Sequence, residues 1–125
     1  MRTLQNIEDS MQIIEKPWGR EELLEHNNRY MVKRLTMFNG QRCSLQLHQH
    51  KRETIYVLSG KLTLVQGEHA DALEKSLHTA GESFTLAPGI VHRMQAEHGD
   101  CVYLEASTPE MDDVIRLSDD YQRVK

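Results

Sequence analysis

Short stretches of alternating apolar and polar residues run along most of the chain, as in β-strands that bury one face. In residues 29–38, for example, Met31, Leu35 and Met37 share one parity. Successive side chains of a strand point to opposite faces, so the pattern places these three together. The same reasoning predicts strands over residues 29–38, 43–48, 54–58, 61–65, 83–86, 91–95 and 101–106.

Turn-forming dipeptides separate these stretches at intervals of about ten residues. They are Asn39-Gly40, Ser59-Gly60, Gln66-Gly67, Ala80-Gly81, Pro88-Gly89 and Gly99-Asp100. Ser59-Gly60, which stands between two apolar runs, predicts a β-hairpin. Many short, evenly spaced strands favour an antiparallel sandwich or barrel over βαβ units. We therefore predict an all-β fold with a single domain.

The two ends of the chain give weaker patterns. Residues 6–14 could form a frayed helix or lie extended. The segment after Thr108 combines a capping residue, a proline and acidic side chains, so it could open one helical turn, although a short strand is also possible. We assign residues 1–12 to an N-terminal extension and residues 13–125 to the domain.

Composition narrows the class of function. The chain has 15 basic and 19 acidic residues, a net charge of −4, and only 6% aromatic residues. This balance argues against nucleic acid or an anionic membrane as a partner. The start of the chain lacks the apolar core of a signal peptide, and no apolar run approaches the ~20 residues that span a bilayer. Cys43 and Cys101 form no C-x-x-C pair, which suits a reducing compartment, so we expect a cytoplasmic protein.

Seven histidines in 125 residues are the chemical feature to explain. On a strand, Gln46, His48 and His50 would project to the same side, and Glu53 follows three residues later. Neutral imidazoles and a carboxylate are good ligands for a divalent transition metal, although an H-x-H also arises by chance in so histidine-rich a chain. His92, at the head of another strand, is the candidate for a further ligand. The remaining histidines show no ligand spacing and are expected on the solvated surface: His26, His69, His78 and His98.

Two blocks of the chain resemble the paired motifs of the cupin superfamily. The first runs Gly40…His48-Gln49-His50…Glu53…Gly60, and the second runs Gly81-Glu82…Pro88-Gly89…His92. The resemblance implies a double-stranded β-helix, or jelly-roll, barrel around one divalent metal ion, whether zinc, manganese, iron or nickel. It also implies four ligands to that metal, namely His48, His50, Glu53 and His92.

The resemblance narrows to the cupin domain of type II mannose-6-phosphate isomerases, including the isomerase end of their fusions with mannose-1-phosphate guanylyltransferase. Lys-Pro-Trp-Gly-Arg-Glu-Glu at residues 16–22 is similar to the entry motif of that family, and Ser-Leu-Gln-Leu-His-Gln-His at residues 44–50 to its histidine motif. Residues 111–121 resemble its acidic tail. The match departs at Lys51, where the family usually has arginine, and at Thr54-Ile55, where it has His-Trp. These departures affect the pocket wall and leave the substrate open.

The resemblance implies a metal-dependent sugar-phosphate isomerase that interconverts an aldose and a ketose through an enediolate. Such a reaction needs a polarised carbonyl and a base that moves a proton between neighbouring carbons. The candidates for catalysis are Glu53, His92 and the carboxylate of Glu82. Gln46 could be an extra ligand or could bind a substrate oxygen. The cations available for the phosphate are Lys33, Arg42, Lys51 and Arg93.

Two other functions remain compatible with the sequence. A site of three histidines and a glutamate also suits a small Fe(II) dioxygenase. A non-catalytic, metal-containing cupin that binds a sugar or has a regulatory role is the third possibility. In each case we expect a small-molecule partner, and we expect a homodimer formed through the N-terminal segment.

Overall fold

Residues 12–123 are described by a computed structural model, in which they form eleven β-strands and no helix. The strands are β1 (Gln12–Lys16), β2 (Gly19–His26), β3 (Met31–Met37), β4 (Leu45–Leu47), β5 (Glu53–Ser59), β6 (Lys61–Gly67), β7 (Glu74–Thr79), β8 (Ser83–Leu86), β9 (Val91–Gln95), β10 (Cys101–Ser107) and β11 (Ile115–Ser118). The all-β prediction is therefore confirmed.

The strands form two antiparallel sheets. One sheet has the order β1-β2-β3-β10-β5-β8, and the other has the order β11-β4-β9-β6-β7. From β3 onward the chain passes repeatedly from one sheet to the other, so neighbouring strands in a sheet are rarely neighbours in sequence. This connectivity agrees with the predicted jelly-roll barrel.

The core lies between the two sheets, where the inward residues of each strand meet. In β5, Ile55 and Val57 are buried and alternate with exposed residues, as the period of two requires. Leu62 and Leu64 of β6 and Tyr103 of β10 pack against them from other parts of the barrel. Fully burying a side chain of this size stabilises a fold by roughly 1.5–3 kcal/mol, so the core is the main source of stability.

Gly60 marks a crossing between the sheets and not the predicted hairpin. β5 pairs with β10 and β8, whereas β6 pairs with β7 and β9, so the strands on either side of Gly60 do not pair with each other. Gly60 has a φ of +80°, and a Cβ atom there would lie 2.4 Å from the backbone oxygen of Asp100. Glycine is required because the chain is left-handed at this corner and passes close to another backbone.

Four strands were not predicted firmly from the sequence. β1 takes the extended alternative for its part of residues 6–14, and β11 takes the strand alternative for the C-terminal segment. β2 carries four charged side chains, and β7 is exposed at nearly every position, so neither shows the expected alternation. Ladders with β3 and β6 define them instead. Residues 1–11 of the predicted extension lie outside the described residues.

Two features of composition have a structural outcome. Both cysteines are free and buried, and burial raises the pKa of each thiol to about 11, so Cys43 and Cys101 act as packing residues. No helix that could cross a membrane occurs over residues 12–123.

Candidate metal centre

His48, Glu53 and His92 meet at one end of the barrel. His48 follows β4, Glu53 begins β5, and His92 lies in β9, so the three side chains connect the two sheets. One potential ligand atom from each lies within 4.8 Å of the others, and all three residues are at least 95% buried. We call this group the triad.

Hydrogen bonds to backbone carbonyls orient both imidazole rings. The Nδ1 atom of His48 donates to the carbonyl oxygen of Asp113, and the Nδ1 atom of His92 donates to that of Ile90 at 3.0 Å. A carbonyl oxygen can only accept, so the proton of each neutral ring is on Nδ1 and the lone pair on Nε2 is free. This is the arrangement of histidines that bind a metal through Nε2.

The inward-facing atoms of the triad lack hydrogen-bond partners among the described residues. Nε2 of His48, Nε2 of His92 and Oε2 of Glu53 are buried and have no hydrogen-bond partner among the described residues. Oε2 of Glu53 lies 2.8 Å from the first nitrogen and 3.7 Å from the second. Buried polar atoms rarely remain unsatisfied, and one divalent metal would satisfy all three. The residues present therefore fit a metal ion.

The protonation states of the triad also suit a metal. Burial lowers the pKa of His92, which favours the neutral ring. Burial would raise the pKa of Glu53, but the nearby His48, Lys51 and His92 outweigh it and hold that pKa below its ordinary value. The site thus favours a neutral ring at His92 and an ionised carboxylate at Glu53.

His50 does not join the triad. The strand ends at Leu47, and His50 is exposed on the turn that follows. The carboxylate of Asp113 accepts the backbone N–H groups of Gln49, His50 and Lys51 at 2.9, 2.7 and 2.9 Å, which pulls the chain out of the strand. The prediction that His50 shares a face with His48 is therefore wrong, because the alternation stops before it.

Asp113 supports the triad through hydrogen bonds, and the sequence did not single it out. Burial opposes its ionisation, but the three backbone donors outweigh burial and lower its pKa to about 2. Its backbone carbonyl also holds the ring of His48. One aspartate therefore fixes both a ligand ring and the turn after it; its place in the acidic tail motif was the available signal.

Gln46 lies on the strand next to His92. It is the residue of β4 that pairs directly with His92 of β9, and it lines the cavity beside His48. Directly paired residues of neighbouring strands point to the same side of a sheet. Its Oε1 atom accepts a hydrogen bond from the hydroxyl of Ser44 at 2.6 Å.

A cavity of about 120 Å³ adjoins the triad. Trp18, Met94 and Tyr103 give it an apolar wall, while Gln46 and His48 line it on the triad side. Its charged lining is mostly positive, although the whole chain is negative: Lys16, Lys33, Lys51, Arg116 and Arg123 face two carboxylates, Glu21 and Glu105. Such a cavity favours an anionic small molecule.

A buried charge network runs from the cavity to the triad. The ammonium of Lys33 lies 3.2 Å from Glu21, and that of Lys51 lies 3.4 Å from Glu105. Burial and the neighbouring Glu53 raise the pKa of Glu105, and the lysines only partly offset them. Burial opposes the charge on Lys51, but Glu105 and Glu53 outweigh it and raise the pKa of the ammonium.

Neither carboxylate of this network was predicted as a site residue. The available signal was parity, because Glu105 falls on the inward register of β10 with Cys101 and Tyr103. It lies directly opposite Lys33 of β3, which is itself a charged residue on an inward register.

The other predicted site residues fall into two groups. Lys33 and Lys51 line the cavity. Arg42 instead pairs with Asp120 through contacts of 2.6 and 2.9 Å, and neither it nor Arg93 lines the cavity. Arg93 is buried and donates to the carbonyl of Cys43 at 2.8 Å. These two arginines contact protein groups outside the cavity.

Glu82 is placed away from the triad. It is exposed in the turn before β8, where it accepts a hydrogen bond from Thr79 and lies 3.4 Å from a ring nitrogen of His78. The expectation that Glu82 could act as a base near the metal is therefore corrected, and the inward carboxylate in that neighbourhood is Glu105. The four histidines expected outside the site do not belong to the triad: His26, His69, His78 and His98.

Residues 4–119 match the protein family described as mannose-6-phosphate isomerase C-terminal. Among curated relatives, the xanthan biosynthesis protein XanB of Xanthomonas campestris pv. campestris is 31% identical over 112 residues, which are 86% of this chain and 23% of XanB. The mannose-1-phosphate guanylyltransferase ManC of Salmonella typhimurium is 29% identical over 113 residues, 87% of this chain and 22% of ManC. The chain thus spans about a quarter of the length of these relatives.

Solved structures share the architecture. KdgF from Halomonas sp. superposes with a TM-score of 0.71 at 18% identity, and the match covers 85% of this chain and 94% of KdgF. At this identity the likeness concerns the fold, and it agrees with the two-sheet barrel described above.

Proposed function

Because this chain belongs to the family of mannose-6-phosphate isomerase C-terminal domains, we propose that it is a metal-dependent sugar-phosphate isomerase that interconverts an aldose and a ketose. The observation that carries the proposal is the triad, whose unsatisfied ligand atoms adjoin a cavity lined with cations. One part of such a site suits the oxygens of a sugar, and the other suits its phosphate.

The residues that would hold the metal are His48, Glu53 and His92, and Gln46, which pairs with His92 in the sheet, is the candidate for a further ligand. The metal would be a divalent zinc, manganese, iron or nickel ion. When bound, such an ion polarises the carbonyl and neighbouring hydroxyl oxygens of a sugar and lowers the cost of an enediolate. Asp113 and Ile90 keep the two rings oriented through their carbonyl groups.

Glu105 replaces Glu82 as the candidate base. It lines the cavity and is buried beside Glu53, and Lys51 stands 3.4 Å from its carboxylate. A buried carboxyl group with a raised pKa can both take and return a proton near neutral pH, which an isomerase requires. Lys51 would stabilise the carboxylate whenever the proton is on the substrate.

Transfer of a proton between carbon and a base gives a direct test. Incubation of the metal-loaded protein with mannose 6-phosphate in deuterated water should introduce deuterium at the carbon next to the carbonyl. Glu105→Gln should reduce that exchange by roughly 10²–10⁴-fold, as expected for loss of a general base, while metal content stays unchanged.

The outcome that contradicts the proposal is equally clear. No exchange in any of a panel of aldose and ketose phosphates, with each divalent metal supplied in turn, would remove the isomerase function. Oxygen uptake by the iron-loaded protein would instead support a dioxygenase.

The cytoplasmic location and the homodimer predicted from sequence belong to the same proposal. The edge strand β1 exposes Ile13 and Ile14, which agrees with pairing through the N-terminal segment. Light scattering of the purified protein measures this, with twice the monomer mass expected.

A further inference from the structure

A row of paired residues crosses the sheet that carries His92. Arg116 of β11 pairs with Gln46 of β4, and Gln46 pairs with His92 of β9. Residues paired in this way point to the same side, so all three side chains face the barrel interior. Neighbouring strands are about 4.8 Å apart, which places the backbone of Arg116 roughly 10 Å from that of His92.

Arg116 differs from the other cations of the cavity in its contacts with the described residues. Within residues 12–123, Lys33 is paired with Glu21, Lys51 with Glu105, and Arg123 with Asp119, and Lys16 lies 4.0 Å from Glu21. No ion pair includes Arg116, and its Nε atom is buried without a hydrogen-bond partner. A buried guanidinium donor of this kind needs an acceptor, which the described part of the chain does not supply.

The chemistry of that acceptor follows from the guanidinium group. Arginine presents a planar fork of donors that matches the paired oxygens of a phosphate or carboxylate. The separation from His92 requires that the anionic group be joined to the metal-binding oxygens by several carbon atoms. A phosphate monoester at the far end of a sugar meets both conditions, and its double charge suits a lining in which cations outnumber carboxylates.

We propose that Arg116 anchors the terminal phosphate of a sugar phosphate whose other end reaches the triad. This inference rests on the proposed function, because it names how the same cavity selects its substrate. It also assigns the phosphate to a residue outside the pool of Lys33, Arg42, Lys51 and Arg93 that the sequence indicated.

The chain carries its own probe for a binding experiment. Trp18 is the only tryptophan, and it lines the cavity, so its fluorescence should respond to a bound ligand. The metal-loaded protein would be titrated with mannose 6-phosphate and with mannose. Arg116→Gln should lower the affinity for mannose 6-phosphate by roughly tenfold to a hundredfold, as expected for loss of a charged hydrogen bond. The affinity for mannose should stay unchanged.

Two further variants keep the result interpretable. Arg116→Lys retains the positive charge but not the planar set of guanidinium donors. Its affinity for mannose 6-phosphate should therefore lie between those of the unmodified protein and Arg116→Gln. Arg20→Gln removes the same charge from an exposed position of β2 and should bind mannose 6-phosphate normally. Metal content and circular dichroism of each variant report on the fold.

Equal affinity of the unmodified protein and both Arg116 variants for mannose 6-phosphate would overturn the inference. So would an equal loss for mannose, because that would indicate damage to the whole cavity. The isomerase proposal can fail separately. Phosphate-dependent binding through Arg116 without deuterium exchange would support the anion site and contradict the isomerase reaction.

Discussion

At the residue scale, the site depends on backbone groups as much as on ligands. Asp113 accepts hydrogen bonds from three consecutive backbone N–H groups and from the ring of His48, although it is not itself a member of the triad. Sequence spacing identified His48, Glu53 and His92 correctly as neighbours, because each lies at or next to the end of a strand. It could not exclude His50, since the turn that removes His50 depends on an aspartate more than sixty residues away.

Asp113→Ala tests this role. Loss of three charge-assisted hydrogen bonds should lower the free energy of unfolding by about 2–3 kcal/mol, and loss of the turn that orients His48 should weaken metal binding by roughly 10–100-fold. Urea unfolding and chelator competition measure the two effects. Asp112→Ala is the matched control, because Asp112 is exposed and contributes only its backbone carbonyl. Similar losses in both variants would contradict the role.

Acid should release the metal. A metal needs neutral rings, and burial keeps the pKa of His92 below its ordinary value of 6.5. Because the folded-state pKa is lowered, the stability contributed by the neutral ring is present above pH 6.5 and is lost as pH falls below it. Metal occupancy measured after dialysis should therefore hold from pH 7 down past pH 6.5 and decline as the pH falls through the lowered pKa of His92. Full occupancy at pH 4 would show that the metal is bound elsewhere.

At the scale of the element, period-two patterns predicted the strands whose inward face is apolar. β3, β5 and β10 alternate in this way and lie close to the predicted ranges. β2 and β7 were missed because charged residues interrupt the pattern in one and the other is exposed throughout. Strand pairing was also hidden: the turn at Gly60 looks like a hairpin locally, and only the ladders with distant strands show that it joins two sheets.

Gly60→Ala tests the sheet crossing. An alanine Cβ would lie 2.4 Å from the oxygen of Asp100, and the left-handed backbone adds a further penalty of about 1–2 kcal/mol. We expect a total loss of about 3 kcal/mol or more in urea unfolding. Gly81→Ala is the control, since Gly81 has a similar φ of +92° but no atom within 4 Å of the added Cβ, so only the backbone penalty applies. Equal losses would contradict the close approach.

At the scale of the whole molecule, charge is sorted between surface and interior. The chain carries a net charge of −4, yet its cavity is lined mainly by cations and leads to a buried carboxylate beside two imidazoles. The composition gives only the net charge of the chain and does not show how charged residues are distributed between the cavity and the rest of the protein. The chain as a whole is acidic, while the interior is suited to one small anion.

The family and the barrel were accessible from sequence because their motifs are local blocks. The buried network of Glu21, Lys33, Lys51 and Glu105 was not, because its members come from three strands and a turn that meet only in the folded barrel. Polar residues on an inward register were the one sign of it. In other small barrels too, a lysine or glutamate at an inward-facing strand position indicates a buried partner of opposite charge.

The central claim is that the triad holds one divalent metal ion, and metal stoichiometry tests it most directly. Elemental analysis of the purified protein should find one divalent transition metal per chain. His48→Ala and His92→Ala should each reduce that value severalfold, whereas His50→Ala should leave it unchanged, since His50 is exposed outside the triad. Unchanged metal content in His92→Ala, or a loss in His50→Ala as large as that in His48→Ala, would contradict the account.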